Sequence, residues 1–184
     1  MKKLLSLITL CGLLVFGVNA NALSITPASS ILTGNENNVP DILIAIQSTI
    51  GSAEELYKMD AGASSASGVL AGSYATSFNG DLSGGTISLI PGATSIVDPS
   101  QPLFFLVKDG KHEPAWYLFD LSLSGLNWNG LEPLQLSGFW PGQGSISHVA
   151  LYGTSAPVPE PSTMLLLGSG IMGLAFFGRK RMNK

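Results

Sequence analysis

The chain has 184 residues, of which 45% are hydrophobic and only 11% are charged, and its formal net charge is −3. This length favours one domain with its own core, and the low charged share argues against a long disordered tail or a charge-rich helical bundle. Basic residues gather at both ends, so the segment from Leu23 to Val158 has three lysines against eleven acids, a net charge of −8. Such an acidic segment lacks the basic surface of a nucleic-acid-binding protein, so no nucleic-acid partner is expected.

The N-terminus has the three parts of a secretory signal peptide. Lys2 and Lys3 precede an uncharged apolar run over residues 4–18, and Ala20 and Ala22 follow in an A-x-A arrangement. We predict that residues 1–22 are removed by signal peptidase after Ala22, with a cut after Ala20 as the close alternative. An uncleaved N-terminal anchor is the other interpretation of the same pattern.

The C-terminus carries a second apolar segment. Pro159, Glu160 and Pro161 precede it, and no charged side chain interrupts residues 162–178. A helix of that length covers roughly 25 Å, at the short end for a bilayer core of about 30 Å. The residues that follow it are basic: Arg179, Lys180 and Arg181. Because positive residues stay on the cytoplasmic side, we predict a transmembrane helix with its C-terminus in the cytoplasm. Before processing, this helix anchors the chain in the inner membrane.

The order of these parts, a Pro-Glu-Pro motif, a short apolar span and a terminal basic cluster, resembles the PEP-CTERM sorting signal of Gram-negative bacteria. The resemblance covers residues 157–184. It implies recognition by exosortase, cleavage near the motif, and transfer from the inner membrane to the outer surface or the extracellular matrix. It also implies an association with exopolysaccharide and biofilm. If the motif is only a linker, the protein remains a tail-anchored periplasmic protein.

Residues 23–156 are predicted to form one acidic all-β ectodomain. Turn residues separate seven β-rich segments, at residues 55–58, 68–78, 86–90, 103–108, 115–122, 134–139 and 145–152. This pattern predicts a β-sandwich, with a jelly roll as the alternative. Residues 23–38 are expected to form an irregular entry. The apolar segment between Asn38 and Gly51 has helix start and stop signals, so we prefer a short helix there over a buried strand.

Catalytic residues are not evident in this domain, and we predict that the protein is not an enzyme. The sequence contains only two histidines, His112 and His148, which are too few for a histidine metal site. Asp109, His112 and Glu113 form a polar cluster in a predicted hairpin turn, for which a solvated turn is the simpler interpretation. His148 lies within a strand pattern, which favours a structural role.

Calcium is the one cofactor that the acidic composition brings into question. Asn79-Gly80-Asp81 and Asp98-Pro99-Ser100 offer oxygen ligands in loops, but neither has the repeated carboxylates of a known calcium loop. We therefore predict no cofactor, with a structural Ca²⁺ as the alternative.

Aromatic residues supply the remaining candidates for a binding site. Trp128 lies between Asn127 and Asn129 and before Gly130, where a loop would present the indole for stacking on a pyranose ring. We therefore take Trp128 and Asn129 as a candidate glycan contact, with core packing as the alternative. Trp116 and Trp140 offer the same choice. Aromatic side chains dominate cores by area, so core packing competes at each of these positions.

Three hypotheses of function follow from these features. The first is a non-catalytic structural protein of the exopolysaccharide or biofilm matrix, delivered by signal peptidase and exosortase. The second is a carbohydrate- or calcium-binding module, and the third is a secreted hydrolase.

Overall fold

The computed structural model describes residues 21–51, 54–109, 111–142 and 145–157. Most of the predicted signal peptide, the sorting motif and the predicted transmembrane helix lie outside these residues. Within the described ranges, no helix combines the length and the apolar character needed to cross a membrane.

Strands dominate the described chain, which contains a single α-helix and a short 3-10 helix at Pro27–Ser29. The elements, in chain order, are β1 (Leu23–Ile25), β2 (Leu32–Gly34), α1 (Val39–Ile50), β3 (Glu54–Asp60), β4 (Tyr74–Phe78), β5 (Gly85–Leu89), β6 (Ser95–Val97), β7 (Phe104–Lys108), β8 (Trp116–Asp120), β9 (Leu134–Leu136), β10 (His148–Gly153) and β11 (Ser155–Pro157).

Two sheets pack face to face. The four-stranded sheet has the order β1-β9-β5-β4, and the five-stranded sheet has the order β2-β8-β7-β10-β3. The first four strands of the chain therefore occupy all four edges of the sandwich. Neighbouring strands are antiparallel, except that β1 runs parallel to β9. Strands β6 and β11 form a separate antiparallel pair. The prediction of an all-β sandwich is confirmed.

The main hydrophobic core lies between the two sheets. Ile87 and Leu134 come from the four-stranded sheet, and Phe105, Phe119 and Leu151 come from the five-stranded sheet; all five are fully buried. Side chains alternate between the faces of a strand, so this core uses every second residue. Burial of each large apolar side chain contributes roughly 1.5–3 kcal/mol.

Helix α1 is associated with a second, smaller core on the outer face of the five-stranded sheet. Ile42 of the helix packs with Phe104, Leu106 and Leu118 of β7 and β8. Because both faces of this sheet are covered, all residues of β7 and of β10 are buried. The helix begins after Asn38, whose side chain accepts a 2.9 Å hydrogen bond from the Asp41 amide, which is the expected N-cap contact. The preference for a short helix here is confirmed.

The strand predictions differ from the structure in three places. Residues 23–38 contain β1, a 3-10 turn and β2 instead of an irregular entry. Residues 68–73 form turns, because Gly68 has a φ of +97°, and the strand starts only at Tyr74. Strands β6 and β11 were not predicted. Three-residue strands carry too little alternation to be read from sequence, and they depend on partners elsewhere in the chain.

Candidate binding groove

The predicted glycan contact at Trp128 is not exposed. The Trp128 side chain has no solvent-accessible surface, its Nε1 donates a 2.8 Å hydrogen bond to the Glu132 carbonyl, and its ring packs against Tyr74 at a centroid distance of 5.7 Å. Asn129 is exposed, but its Oδ1 accepts hydrogen bonds from the amides of Leu131 (2.8 Å) and Glu132 (3.2 Å). The pair thus stabilises a turn over the core, which corrects the prediction of an exposed stacking ring.

The polar turn after β7 brings Asp109 and His112 together. Oδ2 of Asp109 lies 2.7 Å from Nδ1 of His112, and Oδ1 accepts a 3.0 Å hydrogen bond from the Lys111 amide. The Asp109 side chain is 4% exposed and that of His112 is 34% exposed. This contact occupies Nδ1 of the imidazole and leaves Nε2 for another partner. No hydroxyl of the described residues hydrogen-bonds to this imidazole.

His112 and Glu113 form part of the wall of a groove of about 410 Å³, hereafter the aromatic groove. The other lining residues are Pro27, Tyr117, Gly138, Trp140 and Pro141. They come from three separate parts of the chain: the 3-10 turn after β1, strand β8 with the turn before it, and the loop after β9. The groove therefore exists only in the folded domain.

The aromatic floor of this groove is held by its own contacts. The ring centroids of Tyr117 and Trp140 lie 5.2 Å apart, and Tyr117 packs edge-to-face on Phe139 at 5.6 Å. Nε1 of Trp140 donates a 2.8 Å hydrogen bond to the Pro114 carbonyl. Trp140 has a φ of +43°, a conformation that costs energy for a bulky side chain and persists only where surrounding contacts impose it.

Three polar groups of the groove have no partner among the described residues. They are the hydroxyl of Tyr117, the carboxylate of Glu113 and Nε2 of His112; Glu113 is exposed and the other two side chains are partly exposed. Burial raises the pKa of Tyr117, so its phenol stays protonated and can both donate and accept. The groove thus offers donors and acceptors beside aromatic surface.

The second histidine lies elsewhere. His148 is buried on the outer face of the five-stranded sheet, in register with Asp60 on β3 and Lys108 on β7, and its Nδ1 is 3.8 Å from Oδ1 of Asp60. Burial, together with the charges of Lys58 and Lys108, lowers the pKa of His148 to about 4 against the opposing charge of Asp60. His148 and His112 therefore do not form one site.

The two segments considered for calcium form self-contained turns. Oδ1 and Oδ2 of Asp81 accept hydrogen bonds from the amide and the hydroxyl of Ser83, and Oδ1 of Asp98 accepts both from Ser100. In the described ranges, no three carboxylate, histidine or cysteine side chains come together as a metal site would require. Neither turn therefore provides a calcium cage from these residues.

Comparison with known protein families matches one segment of the chain. Residues 157–181 match the PEP-CTERM protein-sorting motif, which confirms the resemblance drawn from the sequence. The matched segment begins at Pro157, which is also the last residue of β11, so the motif starts where the described fold ends. Searches of curated proteins and of solved structures found no match.

Proposed function

We propose that this chain is a non-catalytic structural protein of the exopolysaccharide or biofilm matrix. Its C-terminal motif is that of a secreted protein of Gram-negative bacteria, sorted by exosortase. In this proposal residues 1–22 are the signal peptide, residues 23–156 form the exported domain, and residues 157–184 are the sorting signal. The inner membrane holds the chain, with Arg179, Lys180 and Arg181 in the cytoplasm, until exosortase acts.

The sorting motif is the observation that carries this proposal. It follows β11 directly, so the folded domain and the processing signal are joined without a long linker. A protein that is detached from its membrane anchor near the surface reaches the material outside the cell. The acidic domain, with a net charge of −8 between Leu23 and Val158, supports this destination because like charges resist aggregation at high local concentration.

The experiment compares two Glu-Pro dipeptides of the same chain. Glu160 belongs to the sorting motif, and Glu132 precedes Pro133 in the folded domain. Both are changed to Gln in a host that makes exosortase and exopolysaccharide. Wild type and Glu132→Gln should reach the matrix fraction with a C-terminus that lacks Arg179, whereas Glu160→Gln should stay in the inner membrane with its full tail. Wild type found only in the inner membrane would overturn the proposal.

A second arm of the experiment tests the matrix role separately from sorting. In a host that processes the protein but makes no exopolysaccharide, the mature chain should appear free in the medium. An unchanged distribution between cell surface and medium would show that polysaccharide does not retain the protein.

Carbohydrate binding is the second candidate function, and the aromatic groove is the observation that favours it. Its lining combines Tyr117 and Trp140 with the polar groups of His112 and Glu113. Small-ligand sites share this combination of aromatic walls and a few convergent polar groups. The two candidates are compatible, because a matrix protein can be retained through weak sugar contacts.

A further inference from the structure

We propose that the aromatic groove binds one pyranose unit of a glycan that is neutral or carries an amino group. The proposal deepens the matrix function, on which it rests for the source of the glycan. It also moves the candidate sugar site from Trp128, which is buried, to the surface formed by Tyr117, Trp140, His112 and Glu113.

The size and shape of the groove fit a ligand of this kind. Its volume of about 410 Å³ lies in the range of roughly 300–1,000 Å³ that is typical of small-molecule sites. Tyr117 is partly exposed, while Trp140 exposes only 6% of its surface. Tyr117 is therefore the more accessible of the two rings, and Trp140 forms the floor. The C–H groups of a pyranose ring carry partial positive charge, and they pack against the negative face of an aromatic ring.

The polar groups of the groove match the hydroxyl pattern of a sugar. A carboxylate such as that of Glu113 accepts hydrogen bonds from two hydroxyls, and Nε2 of His112 and the Tyr117 hydroxyl add one more contact each. All three are without a partner among the described residues, so binding breaks no protein hydrogen bond. A hydrocarbon ligand of the same size would leave these groups desolvated and unpaired, so it should bind more weakly than a sugar.

Charge selects among sugars. Among the described residues that line the groove, only Glu113 has a carboxylate, and it belongs to a domain with a strong excess of acids. A uronic acid would place a second carboxylate beside that of Glu113, and two negative charges held close together repel each other. A hexosamine would instead place its ammonium group near Glu113. The order of affinity is therefore amino sugar, then neutral sugar, then acidic sugar.

The groove is also pre-organised for binding. Asp109 fixes the imidazole of His112, and the carbonyl of Pro114 fixes the indole of Trp140. Side chains that are already held lose little rotamer freedom when a ligand arrives, so more of the contact energy appears as affinity.

The test measures binding of three simple probes to the full-length chain in a zwitterionic detergent that has no sugar headgroup. The probes are methyl glucoside, glucosamine and glucuronate. Binding of each probe is measured by saturation-transfer NMR and by tryptophan fluorescence. We expect saturable binding of the first two at millimolar concentration, and at least ten-fold weaker binding of glucuronate. Absence of saturable binding of all three probes would overturn the proposal.

Variants locate the site. Glu113→Gln should weaken glucosamine binding at least five-fold and should reduce the discrimination against glucuronate to less than two-fold. Tyr117→Phe should weaken binding of methyl glucoside at least three-fold. Glu54→Gln is the matched control, since Glu54 is exposed at the other end of the five-stranded sheet. This variant should bind every probe as wild type does. Equal binding by Glu113→Gln and Glu54→Gln would contradict the assignment.

The outcomes separate the two proposals. If the wild-type protein is retained in the matrix but Glu113→Gln discriminates among the probes as wild type does, the groove assignment fails and the matrix function stands. If the probes bind with the expected preference but the mature chain is not retained by polysaccharide, the matrix function fails and the sugar site stands.

Discussion

The hydroxyl of Tyr74 donates a 3.0 Å hydrogen bond to the carbonyl oxygen of Gly130. The oxygen of the Tyr74 hydroxyl in turn accepts a 3.2 Å hydrogen bond from the amide of Val97. One buried hydroxyl thereby links β4 to the loop before β9 and to β6. Burial raises the pKa of Tyr74 to about 12, so the hydroxyl remains a donor at any physiological pH.

Loss of this hydroxyl should destabilise the domain. Tyr74→Phe leaves a buried carbonyl and a buried amide without their partner, so we expect the free energy of unfolding to fall by about 1–3 kcal/mol. Urea unfolding followed by circular dichroism measures this change. Tyr117→Phe is the control, because the Tyr117 hydroxyl has no partner among the described residues and its removal should cost less than about 0.5 kcal/mol. Equal losses in the two variants would contradict the role given to Tyr74.

Trp128 should be essential for stability. Trp128→Ala removes a fully buried indole and opens a cavity in the main core, so we expect a loss of about 3–5 kcal/mol. Leu123→Ala is the surface control: Leu123 is 60% exposed, and its truncation should change the free energy of unfolding by less than about 0.5 kcal/mol. A Trp128→Ala variant with wild-type stability would restore the view of Trp128 as an exposed binding residue.

Stability should fall as the pH drops from about 6.5 to about 4. The folded-state pKa of His148, about 4, lies below its ordinary value of 6.5. Between these values the unfolded chain takes up a proton that the folded chain does not, so the free energy of unfolding rises with pH in this window. The shift corresponds to a loss of up to roughly 3 kcal/mol once the pH is below 4. Urea unfolding at several pH values measures the slope.

A His148→Gln variant separates this effect from the protonation of carboxylates. Gln has no titrating group, so the slope between pH 6.5 and 4 should become flatter than in wild type. His112→Gln is the matched control and should keep most of the wild-type slope. If His148→Gln retains the full slope, the pH dependence comes from other groups.

Two glycines with positive φ should differ in their tolerance of alanine. Gly62 has a φ of +83° and Gly68 has one of +97°. A Cβ at Gly62 would meet nothing within 4 Å, whereas one at Gly68 would lie 2.5 Å from the backbone oxygen of Leu56. Gly62→Ala should cost only the conformational strain, about 1–2 kcal/mol. Gly68→Ala adds a steric clash of about 1–3 kcal/mol, which a lower melting temperature would report. Equal melting temperatures would argue against the clash.

The longer strands could be predicted from sequence because their own residues carry the signal. Strands β7 and β8 are bounded by turn residues and are rich in aromatic and β-branched residues, which favour strands whatever the partner. Strand β1 has three residues and pairs with β9, far away in the chain. Its conformation is imposed by that partner, so the local pattern contains no trace of it.

The groove could be predicted only in part. The spacing of Asp109, His112 and Glu113 marks a polar turn, and the structure confirms that Asp109 and His112 meet there. Nothing local connects this turn with Trp140, which comes from the loop after β9. The same limit explains the error at Trp128: flanking asparagines and a following glycine indicate a loop backbone, but they do not determine whether the indole points outward or into the core.

The placement of β1, β2, β3 and β4 at the four sheet edges has a consequence for export. These strands come first in the chain, yet three of them pair with β8, β9 or β10, which lie far along it. Pairing across such long stretches of chain is slow, because the intervening segment must first be brought into a loop. During export from the N-terminus, β1, β2 and β3 therefore stay without their sheet partners until the later strands arrive, whereas β4 can pair with the next strand, β5. Both sheets are therefore complete only once the later strands β8, β9 and β10 have paired with these edge strands.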